Sequence, residues 1–223
     1  MLPATQERSS ASAEISRRGL LQLALLGLPA FLFPRLAKSA PVSLMGSRAV
    51  LDTIASKMTV IRRSAWNRTP PSLSRLKTAE RYTRLTIHHA GALPIRHTIA
   101  SMVARDLNSI LSAHMDHHYG DIAYHLVVDY AGRVWEGRSL RYEGAHVLSE
   151  NDGNVGVMLL GNFERQRPSP AQLTVMGDLT ELLRLQFGIR RSRVYGHRDL
   201  SPSMCPGRNL YPYVSGLRQD AAG

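Results

Sequence analysis

The chain has 223 residues, 43% hydrophobic and 20% charged, which is enough apolar material for one ordinary core and excludes an intrinsically disordered protein. A formal charge of +11, from 28 basic and 17 acidic residues, points to an anionic partner such as nucleic acid, lipid headgroups or cell-wall polymer; without an aromatic-basic motif, a nucleic-acid function is set aside. The single cysteine, Cys205, excludes an intramolecular disulfide framework and any CxxC pair, so the fold must stand on its core or on a metal.

In chain order, Arg17 and Arg18 stand directly before an apolar run that ends at Phe33, a pattern resembling a twin-arginine export signal. The run is about fifteen residues, short of the roughly twenty needed to span a bilayer core, and Pro29 and Pro34 interrupt it, so no lasting membrane anchor is expected. Ala37-Lys38-Ser39 suits signal-peptide cleavage. Residues 1–39 therefore read as a removable signal that directs export to the periplasm or the extracellular space, with a mature start near Ala40. Its removal takes away five basic and two acidic side chains, so the remainder stays basic.

Residues 40–61 lack firm periodicity and read as a linker or a short accessory helix. The compact domain is expected over 62–214, with a tail at 215–223. Leu85-Thr86-Ile87 is β-prone and delivers His88 and His89 at its carboxyl end. Ile95, Ile99, Met102, Val103, Ile110, Leu111 and His114 recur at steps of three and four, predicting an amphipathic helix from Ile95 to about His117. Ile122 to Asp129, a turn at 130–133 and the return Val134-Trp135-Glu136 predict a hairpin.

Val155 to Leu160, bounded by glycines, predicts a strand buried on both faces. Ser169, Pro170 and Gln172 form an N-terminal cap signature for a helix that runs to about Phe187 and ends at Gly188, with Leu173, Met176, Leu179, Leu183 and Phe187 on its core face. Arg193-Val194-Tyr195 predicts a last strand leading to Gly196-His197 and a proline-rich loop holding Cys205. Strands mixed with two long helices, with one hairpin, predict a single α/β domain: a central mixed sheet covered by helices, with its site at strand ends in a surface groove. A single compact domain carries monomer as its default state.

His88, His197 and Cys205 are three soft or borderline ligands, two at strand ends and one in an adjoining loop. This set suits a catalytic zinc with three protein ligands and one open position. Taken singly, each has an ordinary reading as a hydrogen-bonded histidine or a small buried cysteine, and spacing alone does not decide between the two.

Seven ordered blocks carry a resemblance. They are Arg63-Ser64-Ala65-Trp66; Thr86-Ile87-His88-His89-Ala90-Gly91, followed by His114-Met115-Asp116; Asp121-Ile122-Ala123-Tyr124-His125; Gly132 through Arg138; Gly144-Ala145-His146; Asn154-Val155-Gly156-Val157; and Gly196-His197-Arg198-Asp199-Leu200-Ser201-Pro202 with Cys205-Pro206-Gly207. Over Ile61 to Tyr213 the chain resembles the peptidoglycan recognition proteins and the related zinc amidases, phage lysozyme-type amidases included. The resemblance implies that His88, His197 and Cys205 bind zinc, and that the enzyme hydrolyses the amide between the N-acetylmuramoyl lactyl group and L-alanine of the peptidoglycan stem peptide. It also implies that the Tyr124 hydroxyl orients the attacking water or stabilises the oxyanion.

Ser203 stands where active relatives carry lysine or threonine, and a serine hydroxyl can still donate to an oxyanion. His146 is expected to contact substrate or to fix its loop, and Asn154 to bind substrate or tie down a turn. His89 alternates to the other side of the strand from His88. His114, His117 and His118 are read as helix-end histidines interacting with the dipole rather than as ligands. The implied partner is peptidoglycan or its muropeptide fragments, with anionic wall polymers as an electrostatic contact. The alternatives are a binding module that recognises peptidoglycan without cutting it, and a zinc hydrolase of another amide.

Overall fold

A computed structural model describes residues 44–219; the expected export signal and residues 220–223 lie outside this range. Six strands form one sheet: β1 (Val60–Ile61), β2 (Arg84–His89), β3 (Leu126–Val128), β4 (Val134–Glu136), β5 (Asn154–Leu159) and β6 (Val194–Gly196). Their order is β1-β4-β3-β5-β2-β6, parallel throughout except for the antiparallel β3–β4 hairpin, so the sheet is mixed as the sequence predicts. All six residues of β5 are buried, as expected of a strand covered on both faces.

Alternation along β2 divides the core in two. Leu85 and Ile87 join the larger cluster, while His88 pairs in register with Met158, which belongs to the other. The larger cluster is closed by α1 (Leu44–Ala55), through Val50, Leu51 and Ile54, and by Met176, Leu179 and Leu183 of α4 (Pro170–Phe187). Within 40–61, read as a linker or a short accessory helix, Leu44–Ala55 is a helix packed into the core, so the compact fold starts before the expected Arg62, and β1 extends the sheet edge. Among the described residues no helix is long and apolar enough to cross a membrane.

α4 begins and ends where its cap residues require. Ser169 accepts the Gln172 N–H, the Gln172 side chain accepts the Ser169 N–H, Pro170 opens the first turn, and Gly188 closes the helix at φ 66°.

After the single turn α2 (Arg63–Trp66), the other long helix, α3 (Ala100–Asp116), starts five residues later than its periodicity suggests. The Gln166 amide explains this: it accepts the Ile95 N–H at 2.6 Å and donates to the Ile95 carbonyl at 2.9 Å, so both backbone groups of Ile95 are already engaged. The core stripe is Val103, Leu107 and Leu111, at steps of four, whereas Ile99 is 60% exposed at the helix entry.

The strand expected to begin at Ile122 begins at Leu126. Side chains take the backbone groups before it: Asp121 accepts the Ile122 N–H, His114 accepts the Ala123 N–H, and the buried Arg138 guanidinium donates to the carbonyls of Tyr119, Asp121, Ile122 and Glu143. At the other end, α5 (Tyr211–Gly216) is followed by Arg218, which donates to the Val194 carbonyl at 2.6 Å and pairs with Asp199. The start of the expected tail is therefore docked on β6.

Candidate metal centre

Parallel pairing of β2 with β6 places Ile87 opposite Gly196, so the residue after each, His88 near the end of β2 and His197 just past β6, stands at the same level on neighbouring strands. After Gly196 the chain turns sharply through a short 3-10 segment at His197–Asp199, held because Asp199 accepts the Gly196 N–H at 2.7 Å and the Tyr211 hydroxyl at 2.6 Å. The loop then returns: the Arg198 N–H donates to the Cys205 carbonyl at 2.9 Å, and the Ser203 hydroxyl accepts the Cys205 N–H at 3.1 Å. Cys205 is thereby brought under β2, where its sulfur accepts the His89 backbone N–H at 3.4 Å.

Ligand atoms of His88, His197 and Cys205 all lie within 4.8 Å of one another. His88 Nδ1 is 3.5 Å from Cys205 Sγ. Tetrahedral zinc, with bonds of about 2.0 Å to nitrogen and about 2.3 Å to sulfur, puts two such ligands about 3.5 Å apart, so this donor set and spacing fit zinc.

Electrostatics agree with that fit. Burial, followed by the neighbouring His146, His197 and His89, holds His88 well below the usual histidine range, and burial also lowers His197. Burial pushes the Cys205 thiol up to about 12, opposed by the His89 N–H and by Arg198. The imidazoles are neutral at pH 7 and present lone pairs, while the thiol gives up its proton only to a bound cation.

Tyr124 is half-buried, with its ring 5.1 Å from that of His88 and 5.8 Å from that of His114. It sits in the bend before β3 rather than on a strand. Burial, reinforced by Cys205 and Tyr119, raises its hydroxyl above the ordinary tyrosine value, so it remains a proton donor at pH 7. Ser203 uses an oxygen lone pair to cap Cys205, which leaves its hydroxyl proton available.

His146 and Asn154, each expected to contact substrate or to fix its own segment, are both buried. His146 is 6% exposed, with Nδ1 3.0 Å from His88 Nε2 and Nε2 3.1 Å from the Asn154 carbonyl, so both ring nitrogens are engaged inside the protein. Its loop is fixed by another residue, Asn151, whose side chain accepts the N–H groups of His146 and Val147. Asn154 is fully buried, and its amide is used by Thr86 and by the Glu150 carbonyl. Both residues lie on strand and loop segments facing inward, which residue type and motif position do not reveal.

His89 points away from His88 as alternation requires: its Nδ1 accepts the Phe163 N–H at 3.1 Å and its ring stacks on Phe163. The dipole reading of His114 is corrected. A cationic role would raise its pKa, whereas burial, with Arg138 and His117, lowers it to about 4, and Nδ1 acts as an acceptor.

Arg138 is a further supporting residue, buried beside this centre, and with Arg133 and Glu136 in the same block no residue type marks it out in the sequence. A separate cavity of about 340 Å³, lined by Arg48, Leu51, Arg62, Ser64 and Glu136 among others, shares no residue with this centre.

Comparisons with known proteins agree with this arrangement. The family model described as N-acetylmuramoyl-L-alanine amidase matches residues 78–208. Peptidoglycan-recognition protein SD of Drosophila simulans is 29% identical over 163 residues, 72% of this chain and 87% of that protein. The N-acetylmuramoyl-L-alanine amidase of Homo sapiens is 32% identical over 130 residues, 57% of this chain but only 23% of the human protein. The crystal structure of Drosophila peptidoglycan recognition protein SD matches with a TM-score of 0.65 at 26% identity, covering 71% of this chain and 94% of that one. With the family match spanning more than half the sequence and enclosing His88, Tyr124, His197 and Cys205, the chain belongs to the N-acetylmuramoyl-L-alanine amidase family.

Proposed function

We propose that the protein is an exported zinc-dependent amidase that hydrolyses the bond between the N-acetylmuramoyl lactyl group and L-alanine of peptidoglycan. The observation that carries this reading is the convergence of His88, His197 and Cys205 within 4.8 Å, with the Tyr124 ring 5.1 Å from His88. Zinc held by these three residues would supply Lewis acidity toward water and the scissile carbonyl, which an unactivated amide requires.

The remaining steps fall to the chain's own groups. The protonated Tyr124 hydroxyl donates a hydrogen bond to the oxygen that becomes negative as water adds. Ser203, with its own proton free, is a second donor beside Cys205. The departing L-alanine nitrogen takes up the proton that the attacking water gives up, and Tyr124 would relay it, ending as the phenol it began as. Export through a twin-arginine signal in residues 1–39 would bring the enzyme to its polymer, and the basic balance of the chain would hold it on anionic wall material. Binding to sacculi should then weaken as salt rises from low to near-molar levels, where screening shortens to a few ångströms.

A non-cutting recognition module is the second reading, supported by the match along 87% of peptidoglycan-recognition protein SD and by the neutral Ser203. Incubation of the chain with purified peptidoglycan, before and after chelation and zinc restoration, separates the two when products are identified by mass spectrometry. Released stem peptides beginning with L-alanine, absent after chelation and absent with Cys205→Ala, are expected for the amidase. Wall binding without any released peptide would sink it in favour of recognition.

A further inference from the structure

His146 is almost fully buried and lies against His88 with both ring nitrogens engaged. With one proton on each ring, the order of protons along this chain follows from the acceptors. The Asn154 carbonyl can only accept, so His146 Nε2, 3.1 Å away, must carry a hydrogen. The next contact, His146 Nδ1 to His88 Nε2 at 3.0 Å, is a hydrogen bond only if one of the two nitrogens is bare. With the His146 proton committed to Nε2, the bare nitrogen is His146 Nδ1, and His88 Nε2–H is the donor. His88 Nδ1 is then the nitrogen left with a lone pair, and it faces Cys205 Sγ at 3.5 Å.

The surroundings hold the ring in this orientation. A Cβ on Gly156 would come within 2.7 Å of His146 Cγ, and one on Gly144 within 2.6 Å of its Nε2, so the imidazole occupies a slot that only glycine on both sides leaves open.

We propose that His146 is a positioning residue which, anchored on the Asn154 carbonyl, fixes the tautomer and ring orientation of His88 so that Nδ1 is presented to the metal. This role presupposes the zinc site proposed above. Partners of this kind, behind a ligating histidine, set which nitrogen binds and how well, and losing one typically weakens metal affinity roughly 10–100-fold.

The test measures zinc affinity of the full chain by chelator competition at fixed pH, with His146→Leu, His146→Gln, Gly156→Ala and Cys205→Ala beside the wild type, together with 15N–1H spectra of the histidine rings. Glutamine keeps an acceptor for His88 and a donor for Asn154. It should hold zinc within about threefold of wild type, while His146→Leu and Gly156→Ala fall by roughly 10–100-fold. The spectra need no variant: hydrogen on Nε2 of both His88 and His146 is expected, and hydrogen on His146 Nδ1 would overturn the assignment. Wild-type affinity in a folded His146→Leu protein would overturn the positioning role and leave the zinc site standing. Equal affinity of wild type and Cys205→Ala would remove the zinc site and this role together.

Discussion

His114 Nδ1 accepts the backbone N–H of Ala123 at 3.0 Å, so the last turn of α3 holds the residue next to Tyr124. Burial keeps that imidazole neutral, which is the state able to accept. Replacing it with Phe leaves a part-buried N–H without an acceptor, a cost of about 1–3 kcal/mol. We expect His114→Phe to lower the urea midpoint accordingly and to reduce kcat more than it changes KM, with His114→Asn recovering part of both. A destabilised variant with unchanged kcat would show that the contact supports the fold without aiming Tyr124.

Tyr124 and Ser203 are separable by kinetics. Loss of one oxyanion donor typically costs roughly 10²–10³ in kcat, and we expect Tyr124→Phe to fall in that range with zinc affinity unchanged. Ser203→Ala should cost less, since the same hydroxyl also caps Cys205, and Ser203→Thr should keep most activity. If Ser203→Ala lowers the melting temperature while turnover stays constant, the hydroxyl serves only the loop.

Part of the acid sensitivity should trace to His125. Its Nδ1 accepts the Gly156 N–H at 3.0 Å and its Nε2 lies 2.9 Å from the Tyr142 carbonyl; burial above all, with Arg138 adding and the Tyr142 contact opposing, lowers its pKa from 6.5 to about 4. Between those values the unfolded chain binds a proton that the folded one refuses. Stability is therefore fully present above pH 6.5 and drains away as pH falls toward 4, by about 3 kcal/mol from this residue. His114 acts in the same direction. We expect His125→Gln, which can keep the contacts to Gly156 and Tyr142, to flatten the dependence of unfolding free energy on pH across this window by about one proton. Parallel slopes for variant and wild type would refute the assignment.

Arg138 is 3% exposed and donates to four backbone carbonyls around the Tyr124 segment. Glutamine cannot reach all four, so Arg138→Gln should cost at least about 3 kcal/mol in chemical denaturation and should reduce turnover through Tyr124. A loss below about 1 kcal/mol would mean that water replaces the guanidinium at little cost.

Much of the fold was legible wherever short-range physics decides it. The limits of α4 follow from Ser169, Pro170, Gln172 and Gly188, whose capping chemistry is local, and buried β5 follows from an apolar run between glycines. The start of α3 is not legible in periodicity because Gln166, 71 positions away, engages Ile95, nor is the start of β3, because Arg138, Asp121 and His114 occupy backbone groups that a ladder would use.

The candidate site divides in the same way. Sequence by itself determined the donors: a lone cysteine and two histidines of the right chemistry, grouped through a family resemblance, and an opposite face for His89 from strand alternation. Only the tertiary structure decided that His88 Nδ1 stands 3.5 Å from Cys205 Sγ, and that His146 and Asn154 are buried behind His88. The physical reason is that a side chain's partners across a parallel sheet are set by strand order and register, which join residues more than a hundred positions apart, whereas composition and periodicity report only the face on which each residue begins.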